Sequence, residues 1–407
     1  MQIAYLADAL YQSMAAGSAR YTAEMAQALR EIPGLDLRLL TLYPADVVAA
    51  RASERGYPSA ESLALTVPRQ AQYLLWHLAG VSGSLAKATK EADIVHAPIL
   101  IIPPRKKTPL VVTVFDLTFL MFPQHHVLNT RVLLGSGLRR AVREADAFLA
   151  ISENTKRDLV RLAGVAPERI HVTPLAADPL FRPQEDAGAL ARLGIDRPYV
   201  LYVGTLEPRK NITVLLRAFA ALQDQDKETL LVLAGAKGWM YDEIFALTTQ
   251  LGLKDRVRML GYVSNEDLPV LYSQAQVFVY PSLFEGFGLP VLEAMQCGAP
   301  VITTNVSSLP EVAGDAGILI SPDDVAGLTR EMRSVLSEPE RRADLGESLA
   351  AAAGGVVTSE AKAEFERAVA LNADEVKASY FLGLAAEGHI GAARIVLLKP
   401  ATFMNDS

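Results

Sequence analysis

Residues 277–300 read Val-Phe-Val-Tyr-Pro-Ser-Leu-Phe-Glu-Gly-Phe-Gly-Leu-Pro-Val-Leu-Glu-Ala-Met-Gln-Cys-Gly-Ala-Pro. The run from Val277 to Tyr280 is typical of a buried strand. Pro290 suits the first turn of a helix, because its missing N–H would be unpaired there, and Gly298 suits the end of that helix. The stretch therefore predicts a strand, a loop and a helix, which is the repeating unit of a parallel α/β sheet.

The loop between this strand and helix is predicted to bind an anion or a polar sugar. The backbone N–H groups at a helix N-terminus have no partner within the helix, and the helix dipole favours negative charge beside them. The residues that would present these groups are Gly286, Phe287, Gly288 and Leu289.

Two carboxylates, Glu285 and Glu293, flank this turn. One interpretation gives each of them a ligand. In the other, Glu285 only caps the helix, and Glu293, placed within the first turn or so, stabilises the helix dipole. The motif spacing leaves both interpretations open.

A second loop carries adjacent cations. Residues 202–211 read Tyr-Val-Gly-Thr-Leu-Glu-Pro-Arg-Lys-Asn, so a strand ends at Gly204, and Arg209 and Lys210 open a helix. Open α/β sheets bind ligands at the carboxyl ends of their strands, where two cations could stabilise a leaving diphosphate. The alternative is a solvated surface pair. No Gly-x4-Gly-Lys-Ser/Thr pattern occurs, which excludes a P-loop.

Short apolar runs alternate with helical patterns in two successive series. A segment rich in Pro, Asp, Gly and Ala, around residues 176–198, separates them and is predicted to be a linker. The predicted fold is α/β, with two Rossmann-like doubly wound domains, residues 1–182 and 183–350, that face an interdomain cleft. The predicted strands are Ile3–Ala7, Asp93–His96, Leu110–Val114, Ala147–Ile151, Ile170–Thr173, Tyr199–Val203, Leu230–Ala234, Val257–Leu260, Val277–Tyr280, Val301–Thr304 and Gly317–Ile320.

Residues 351–407 are predicted to be an atypical helical tail. The sequence Ala351–Gly355 indicates a break, and residues 361–386 are predicted to form a helix pair. A single pair of this kind cannot bury its own apolar face, so it would have to pack on the rest of the chain or on a partner.

Bulk composition is that of a globular α/β protein with a large core: 407 residues, 50% hydrophobic and 21% charged. The one cysteine, Cys297, rules out an intrachain disulfide and fits a reducing compartment. No apolar run approaches the roughly 20 residues of a membrane span, and the N-terminus lacks the pattern of a signal peptide. A cytoplasmic location is therefore expected. No motif of a nucleic-acid-binding module is present.

The net charge of −7 is distributed unevenly. Residues 1–182 hold 20 Lys and Arg against 16 Asp and Glu, whereas residues 183–407 hold 19 against 30. This is either ordinary scatter between two domains or a sign that the first domain meets an anionic surface, such as the inner face of a membrane. In the second case, the basic clusters Arg105-Lys106-Lys107 and Arg139-Arg140-Arg143 are the candidates.

Together these segments resemble glycosyltransferase family 4, of the "glycosyl transferases group 1" type with the GT-B fold. The resemblance rests on residues 204–211, the Leu-Ala-Gly strand end at Leu233, the Gly-Tyr-Val-Ser segment at Gly261, and the Glu285-x7-Glu293 pair. It covers roughly residues 1–350. It implies a retaining, metal-independent transferase that uses a nucleotide-diphosphate sugar and needs no cofactor.

The resemblance also implies roles for the second domain. Arg209 and Lys210 would hold the diphosphate, and Glu285 with the backbone of residues 286–289 would contact the donor sugar. Glu293 would bind the ribose hydroxyls. Tyr262 and Val263, together with the strand end at Gly204, would complete the donor site around the base.

In the first domain, Gly17 falls where the family places a glycine loop against the donor phosphates. Residues 112–120, Val-Thr-Val-Phe-Asp-Leu-Thr-Phe-Leu, resemble the family's His-Asp-Leu region. Asp116 is kept and is a candidate catalytic residue, or else a loop or helix-start residue. Phe115 stands where many relatives carry His. Among the other histidines, His96 is expected in the core, the alternative being a place along the acceptor cleft, and His125 and His126 are expected on the surface.

The expected partners are a nucleotide-diphosphate sugar, with GDP-mannose or a UDP-sugar as the donor, and a glycan or lipid-linked acceptor. The alternative is a sugar-nucleotide binding protein of the same fold with weak or no turnover. Phe115 and the atypical tail favour this alternative.

Overall fold

The structure is a computed structural model that describes residues 1–12, 17–32, 34–63, 67–79, 89, 91–104, 108–222, 226–238 and 240–353. The Arg105-Lys106-Lys107 cluster and the helix pair predicted at residues 361–386 lie outside these ranges. The described chain divides into two compact units, Met1–Ala176 and residues 177–353. The domain boundary predicted at residue 182 and this division both fall between the two sheets.

The first unit is a parallel α/β sheet. Its elements are β1 Gln2–Leu6, α1 Gly17–Glu31, β2 Asp36–Thr41, α2 Ala45–Arg55, β3 Glu61–Ser62, α3 Arg69–Ala79, β4 Ile94–Ala97, β5 Leu110–Val114, α4 Thr118–Met121, α5 Leu128–Glu144, β6 Ala147–Ala150, α6 Glu153–Ala163 and β7 Ile170–Val172. The strand order is β3-β2-β1-β4-β5-β6-β7. The order reverses between β1 and β4, as it does in doubly wound sheets.

Three helices of this unit share one core. Tyr73 and Trp76 of α3, Leu138 of α5 and Leu159 of α6 belong to a single buried cluster with the strand residues. α3, α5 and α6 therefore form one layer on the same face of the sheet. α6 begins at an N-cap serine, because Ser152 Oγ accepts a hydrogen bond from the Thr155 N–H at 2.9 Å.

The second unit repeats the architecture. Its elements are α7 Ala187–Arg192, β8 Tyr199–Val203, α8 Ile212–Ala220, β9 Leu230–Ala234, α9 Asp242–Gln250, β10 Val257–Gly261, α10 Leu268–Ser273, β11 Val277–Tyr280, α11 Leu289–Gln296, β12 Val301–Thr304, α12 Leu309–Ala313, β13 Ile318–Ile320, α13 Val325–Ser337 and α14, residues 339–353. The strands pair in parallel in the order β10-β9-β8-β11-β12-β13. The predicted α/β class with two doubly wound sheets is confirmed.

The structure differs from the predicted pattern at three places. The predicted linker contains α7, which begins because Asp186 Oδ1 accepts hydrogen bonds from the N–H groups of Gly188 and Ala189. A break was predicted over residues 351–355. α14 continues through residues 351–353, because alanine favours helix, and the two glycines at 354 and 355 lie outside the described residues. The sequence also did not indicate β2, whose first residue Asp36 is exposed.

Two glycines bring the loops after β8 and β9 into contact. Gly204 has φ 151° and Gly235 has φ 149°, a region that side chains rarely adopt. A Cβ added to Gly235 would lie 2.0 Å from the Gly204 carbonyl oxygen. The Gly204 N–H donates to the Ala234 carbonyl at 2.8 Å. The carboxyl ends of these neighbouring strands are thus held backbone to backbone.

Among the described residues, no helix combines the length and the apolar character that crossing a membrane requires.

Candidate functional site

The two predicted cations lie on one turn of 3-10 helix, Pro208–Lys210, after β8. Asn211 ends this turn in the left-handed conformation, φ 57°, and stands at the start of α8. Its side-chain Nδ2 donates to the Pro322 carbonyl at 2.7 Å. This cross-link fixes the position from which the preceding side chains extend.

Arg209 is held from three directions. Its Nη1 donates to the Phe284 carbonyl at 2.6 Å and lies 3.1 Å from Glu285 Oε2, and its Nη2 donates to Glu207 Oε1 at 2.6 Å. The side chain is 19% exposed. The guanidinium is therefore ordered but still open to a ligand.

Lys210 is buried beneath it. Its Nζ donates to Glu285 Oε1 at 2.6 Å and to Tyr280 Oη at 2.7 Å. Burial lowers the pKa of Lys210, and the carboxylate of Glu285 opposes that shift. The interpretation of Arg209 and Lys210 as a solvated surface pair is therefore wrong.

Glu285 is the residue that these contacts share. Besides Lys210, its Oε1 accepts hydrogen bonds from Tyr280 Oη at 3.1 Å and from Ser282 Oγ at 2.5 Å. Burial would raise the pKa of Glu285, but Lys210 and Arg209 outweigh it and lower the pKa to about 2. Its two carboxylate oxygens are thus engaged by Lys210, Tyr280, Ser282 and Arg209, which argues against a role as a cap of α11.

Glu207 was not singled out in the sequence, although it lies in the same motif. It is 3% exposed and pairs with Arg209. Acidic residues are seldom buried unless they are paired, so its place beside two cations was the available signal. Together, Glu207 and Glu285 balance the charges of Arg209 and Lys210.

The loop between β11 and α11 is held in place by Ser308, the N-cap residue of α12. The Ser308 hydroxyl lies within hydrogen-bonding distance, as a donor, of the Glu285 carbonyl oxygen at 3.0 Å and of the Phe287 carbonyl oxygen at 2.6 Å. Gly288 has φ 113°, and a Cβ there would lie 2.8 Å from Leu309 Cδ2. The glycine therefore lets the loop run close to α12 and deliver residues 286–289 to the helix N-terminus.

Glu293 was expected within the first turn or so of the helix, and it is the fifth residue of α11. The helix dipole acts mainly within the first turn, so dipole stabilisation does not explain this position. Glu293 is 7% exposed, and its Oε2 accepts a hydrogen bond from Tyr272 Oη at 3.0 Å. Burial and the neighbouring Glu293 raise the pKa of Tyr272 well above its usual value.

Tyr262 and Val263 follow β10 and have different environments. Tyr262 is 78% exposed, whereas Val263 is buried. Both residues were expected to flank a base. The exposed ring of Tyr262 is accessible for that contact, whereas the buried side chain of Val263 is not.

Two candidate residues lie in the first unit. Gly17 is the first residue of α1, and a Cβ built on it would meet nothing within 4 Å. Asp116 follows β5, and its Oδ1 accepts hydrogen bonds from Thr118 N at 2.9 Å and from Thr118 Oγ1 at 2.6 Å. Asp116 therefore holds the start of α4, as its helix-start interpretation requires.

The histidines near this loop differ from each other. His126 was expected on the surface, but it is half-buried, and its Nε2 lies 3.1 Å from Thr118 Oγ1. His96 is a core residue, as predicted. Its Nε2 lies 3.0 Å from Thr113 Oγ1, and burial lowers its pKa to about 3. Phe115 packs edge-on against Tyr21, with ring centroids 5.0 Å apart.

Two family models match the chain over separate ranges. The model described as Glycosyltransferase Family 4 matches residues 15–179, and the model described as Glycosyl transferases group 1 matches residues 191–350. The chain belongs to the family 4 glycosyltransferases. The first range covers β2 to β7 and the second covers β8 to β13, so the two matches fall on the two sheets of this glycosyltransferase.

Relatives of this glycosyltransferase include mannosyltransferases. The O-antigen chain mannosyltransferase B of Escherichia coli is 37% identical over 254 residues, 61% of this chain and 66% of that protein. The D-inositol 3-phosphate glycosyltransferase of Rhodococcus jostii is 34% identical, over 51% of this chain and 49% of that one. The serotype-specific mannosyltransferase WbdA of Escherichia coli is 30% identical, over 48% and 25%. The match therefore spans less than two thirds of each of these relatives.

Solved structures share the fold over most of the glycosyltransferase chain. HepE of Anabaena, solved with UDP and glucose, gives a TM-score of 0.70 at 20% identity, covering 91% of this chain and 100% of that one. Sucrose-phosphate synthase of Thermosynechococcus elongatus gives 0.68 at 22% identity, covering 87% and 94%. At this identity the likeness shows the fold alone, which is GT-B.

Proposed function

We propose that this family 4 glycosyltransferase moves a sugar from a nucleotide-diphosphate donor to a glycan or lipid-linked acceptor, with retention of the anomeric configuration. The observation that carries the proposal is the buried cluster of Arg209, Lys210 and Glu285 at the carboxyl edge of the second sheet. Oriented cations in a site of low dielectric stabilise charge that develops on a leaving group.

In the proposed reaction, the bond between the sugar C1 and the diphosphate oxygen breaks as the acceptor oxygen bonds to C1 on the same face. The acceptor proton passes to an oxygen of the departing diphosphate, so no external base is needed. Arg209, the more exposed cation, would contact the diphosphate directly. Lys210 would add positive potential from beneath and hold Glu285 in place.

Glu285 is proposed to orient the donor sugar rather than to form a covalent intermediate. Its two oxygens are bound by Lys210, Tyr280, Ser282 and Arg209. A carboxylate with so low a pKa is a weak nucleophile, which supports attack by the acceptor itself. Glu293, held by Tyr272, is proposed to accept hydrogen bonds from the ribose hydroxyls.

The oriented N–H groups of Arg209 and Lys210 would stabilise the leaving diphosphate, a task that other transferases give to a metal ion, and this supports metal independence as part of the proposal. For the donor we propose GDP-mannose first and a UDP-sugar second, because relatives are named mannosyltransferases and HepE was solved with UDP. We propose that the reaction takes place in the cytoplasm.

A donor panel tests this proposal. The intact protein would be incubated with GDP-mannose, UDP-glucose and UDP-galactose, in EDTA and then with added Mg²⁺, and the release of nucleoside diphosphate measured. We expect release with one nucleotide class, unchanged by EDTA. Absence of both release and donor binding across the panel would overturn the proposal.

A second candidate function is sugar-nucleotide binding with little turnover. The observation that favours it is Phe115, whose ring packs on Tyr21 and offers no hydrogen-bonding group. The variant Phe115→His, which introduces an imidazole at this position, distinguishes a transferase from a protein that only binds the sugar nucleotide. If the native chain binds donor but releases no diphosphate, and the variant gains release, the binding function is favoured.

A further inference from the structure

Glu285 and Glu293 each accept a hydrogen bond from a buried tyrosine. Tyr280 Oη donates to Glu285 Oε1 at 3.1 Å, and Tyr272 Oη donates to Glu293 Oε2 at 3.0 Å. Tyr272 lies in α10 and Glu293 lies in α11. The second of these bonds therefore joins two helices, and it holds the carboxylate that is proposed to bind the ribose.

The ring of Tyr272 is held by two other aromatic rings. Phe278 of β11 packs against it with ring centroids 5.2 Å apart and planes at 74°, and Phe181 packs against it at 5.9 Å and 70°. Aromatic pairs favour such edge-to-face arrangements. Tyr272 and Phe278 are fully buried, and Phe181 is 3% exposed. Because interiors are close-packed, the two neighbouring rings fix the direction in which the Tyr272 hydroxyl points.

Phe181 lies in the segment that precedes α7, and this segment is attached to the end of α10. The Gln184 N–H donates to Ser273 Oγ at 3.0 Å, and Gln274 Nε2 donates to the Gln184 carbonyl at 3.1 Å. Ser273 and Gln274 directly follow Tyr272 in the sequence. The two hydrogen bonds therefore keep Phe181 beside the tyrosine ring.

A fixed tyrosine hydroxyl can prepare Glu293 for a ligand. A glutamate side chain has several rotamers, and holding it in one of them costs conformational entropy. The Tyr272 hydroxyl keeps its proton and acts as a donor, because burial and the carboxylate of Glu293 raise the pKa of Tyr272 well above its usual value. A carboxylate that is already held before the ligand arrives loses less freedom on binding.

We propose that Tyr272 is a positioning residue, which sets the preference of the donor site for a ribose over a deoxyribose. It holds the Glu293 carboxylate in the orientation that accepts hydrogen bonds from the ribose hydroxyls, and Phe181 keeps the tyrosine ring in place. Tyr272 is itself fully buried and does not touch the nucleotide. The inference rests on the proposed function, which assigns the ribose hydroxyls to Glu293.

Calorimetric titration of the full chain with GDP, UDP and their 2′,3′-dideoxy forms tests the inference. We expect the parent to bind one ribonucleotide about ten-fold or more tightly than its dideoxy form, because hydrogen bonds to a charged group are strong. Tyr272→Phe should lower this ratio about three-fold or more and leave the affinity for the dideoxy form unchanged. Phe181→Leu loosens the ring but keeps the hydroxyl, so it should lower the ratio by less.

A double-mutant cycle shows whether Tyr272 acts through Glu293. Glu293→Gln should lose most of the preference for ribose. Adding Tyr272→Phe to that variant should change the ratio no further, because residues that act through one contact are not additive.

Tyr199→Phe is the matched control. Tyr199 is 2% exposed, and its Oη donates to the Leu271 carbonyl at 2.8 Å. The variant therefore removes an equally buried hydroxyl from the same unit, and it should keep the ratio of the parent.

The outcomes separate this inference from the proposed function. An unchanged ratio in Tyr272→Phe, or an equal fall in Tyr199→Phe, would overturn the inference and leave the proposed function standing. Equal losses of affinity for the ribose and dideoxy forms in Tyr272→Phe would also overturn it, because they would show a structural role alone. A parent that binds neither GDP nor UDP would overturn the proposed function, and this inference with it.

Discussion

Lys210 Nζ and Glu285 Oε1 lie 2.6 Å apart in a buried position, although the two residues are 75 positions apart in the sequence. One follows β8 and the other follows β11, two strands that pair directly in the sheet. This contact joins the cationic motif to the carboxylate motif. Arg209, Tyr280 and Ser282 of the proposed donor site also contact Glu285.

Removing Lys210 should destabilise the second unit strongly. Lys210→Met leaves a buried carboxylate with Arg209 as its remaining cation, and breaking a buried ion pair from one side costs about 3–5 kcal/mol. Urea unfolding would measure the loss. Lys210→Met/Glu285→Gln should recover part of it, because neither charge is then buried.

A surface pair provides the control for this effect. Arg330 and Glu331 are 3.1 Å apart, with the arginine side chain 70% exposed. Arg330→Met should change the free energy of unfolding by less than about 1 kcal/mol. Equal losses for Arg330→Met and Lys210→Met would contradict the buried-pair account.

Glu285 should make stability fall in acid. Its pKa is lowered from 4.5 to about 2 in the folded protein, so its stabilising contribution is complete above pH 4.5. That contribution is lost as the pH falls from about 4.5 toward 2. Comparing urea unfolding of the parent and Glu285→Gln across this window should show a steeper decline for the parent. Parallel curves would contradict the prediction.

Asp8 should make the folded protein more stable in acid, the opposite of the effect of Glu285. It is buried after β1, and Thr41, Leu42 and Tyr73 donate hydrogen bonds to its Oδ1, while its Oδ2 has no partner among the described residues. Burial raises its pKa above 3.8, so the ionised form destabilises the fold above pH 3.8. Stability should rise as the pH falls through the raised value. In Asp8→Asn this rise should disappear, and its persistence would show another group to be responsible.

Gly235→Ala should impair donor binding by separating the loops after β8 and β9. The new Cβ would lie 2.0 Å from the Gly204 carbonyl oxygen, at a φ of 149°. Gly252→Ala is the matched control, because Gly252 has φ 68° and nothing within 4 Å of a Cβ. A thermal shift with nucleoside diphosphate should be lost in the first variant and kept in the second. The same response in both would argue against the loop contact.

The sequence predicted β8, β9, β11 and β12 with the bounds the structure has, because each is a short run of apolar and β-branched residues with Gly or Pro next to at least one end. It also indicated Arg209, Lys210 and Glu285 from local motifs. It did not indicate Glu207 or Tyr272, because their roles depend on burial and on contacts made through the tertiary fold. Glu293 was expected within the first turn or so of the helix, and it is the fifth residue of α11, which begins at Leu289.

Arg209 is the residue proposed to bind the donor diphosphate directly. Calorimetric titration of GDP and UDP into the parent and into Arg209→Gln tests this directly. We predict that the parent binds one of the two nucleotides and that the variant binds it about 10- to 100-fold more weakly, since a hydrogen bond to a charged group contributes about 1.5–3 kcal/mol. Equal affinity in both proteins, or no binding by the parent, would contradict the account.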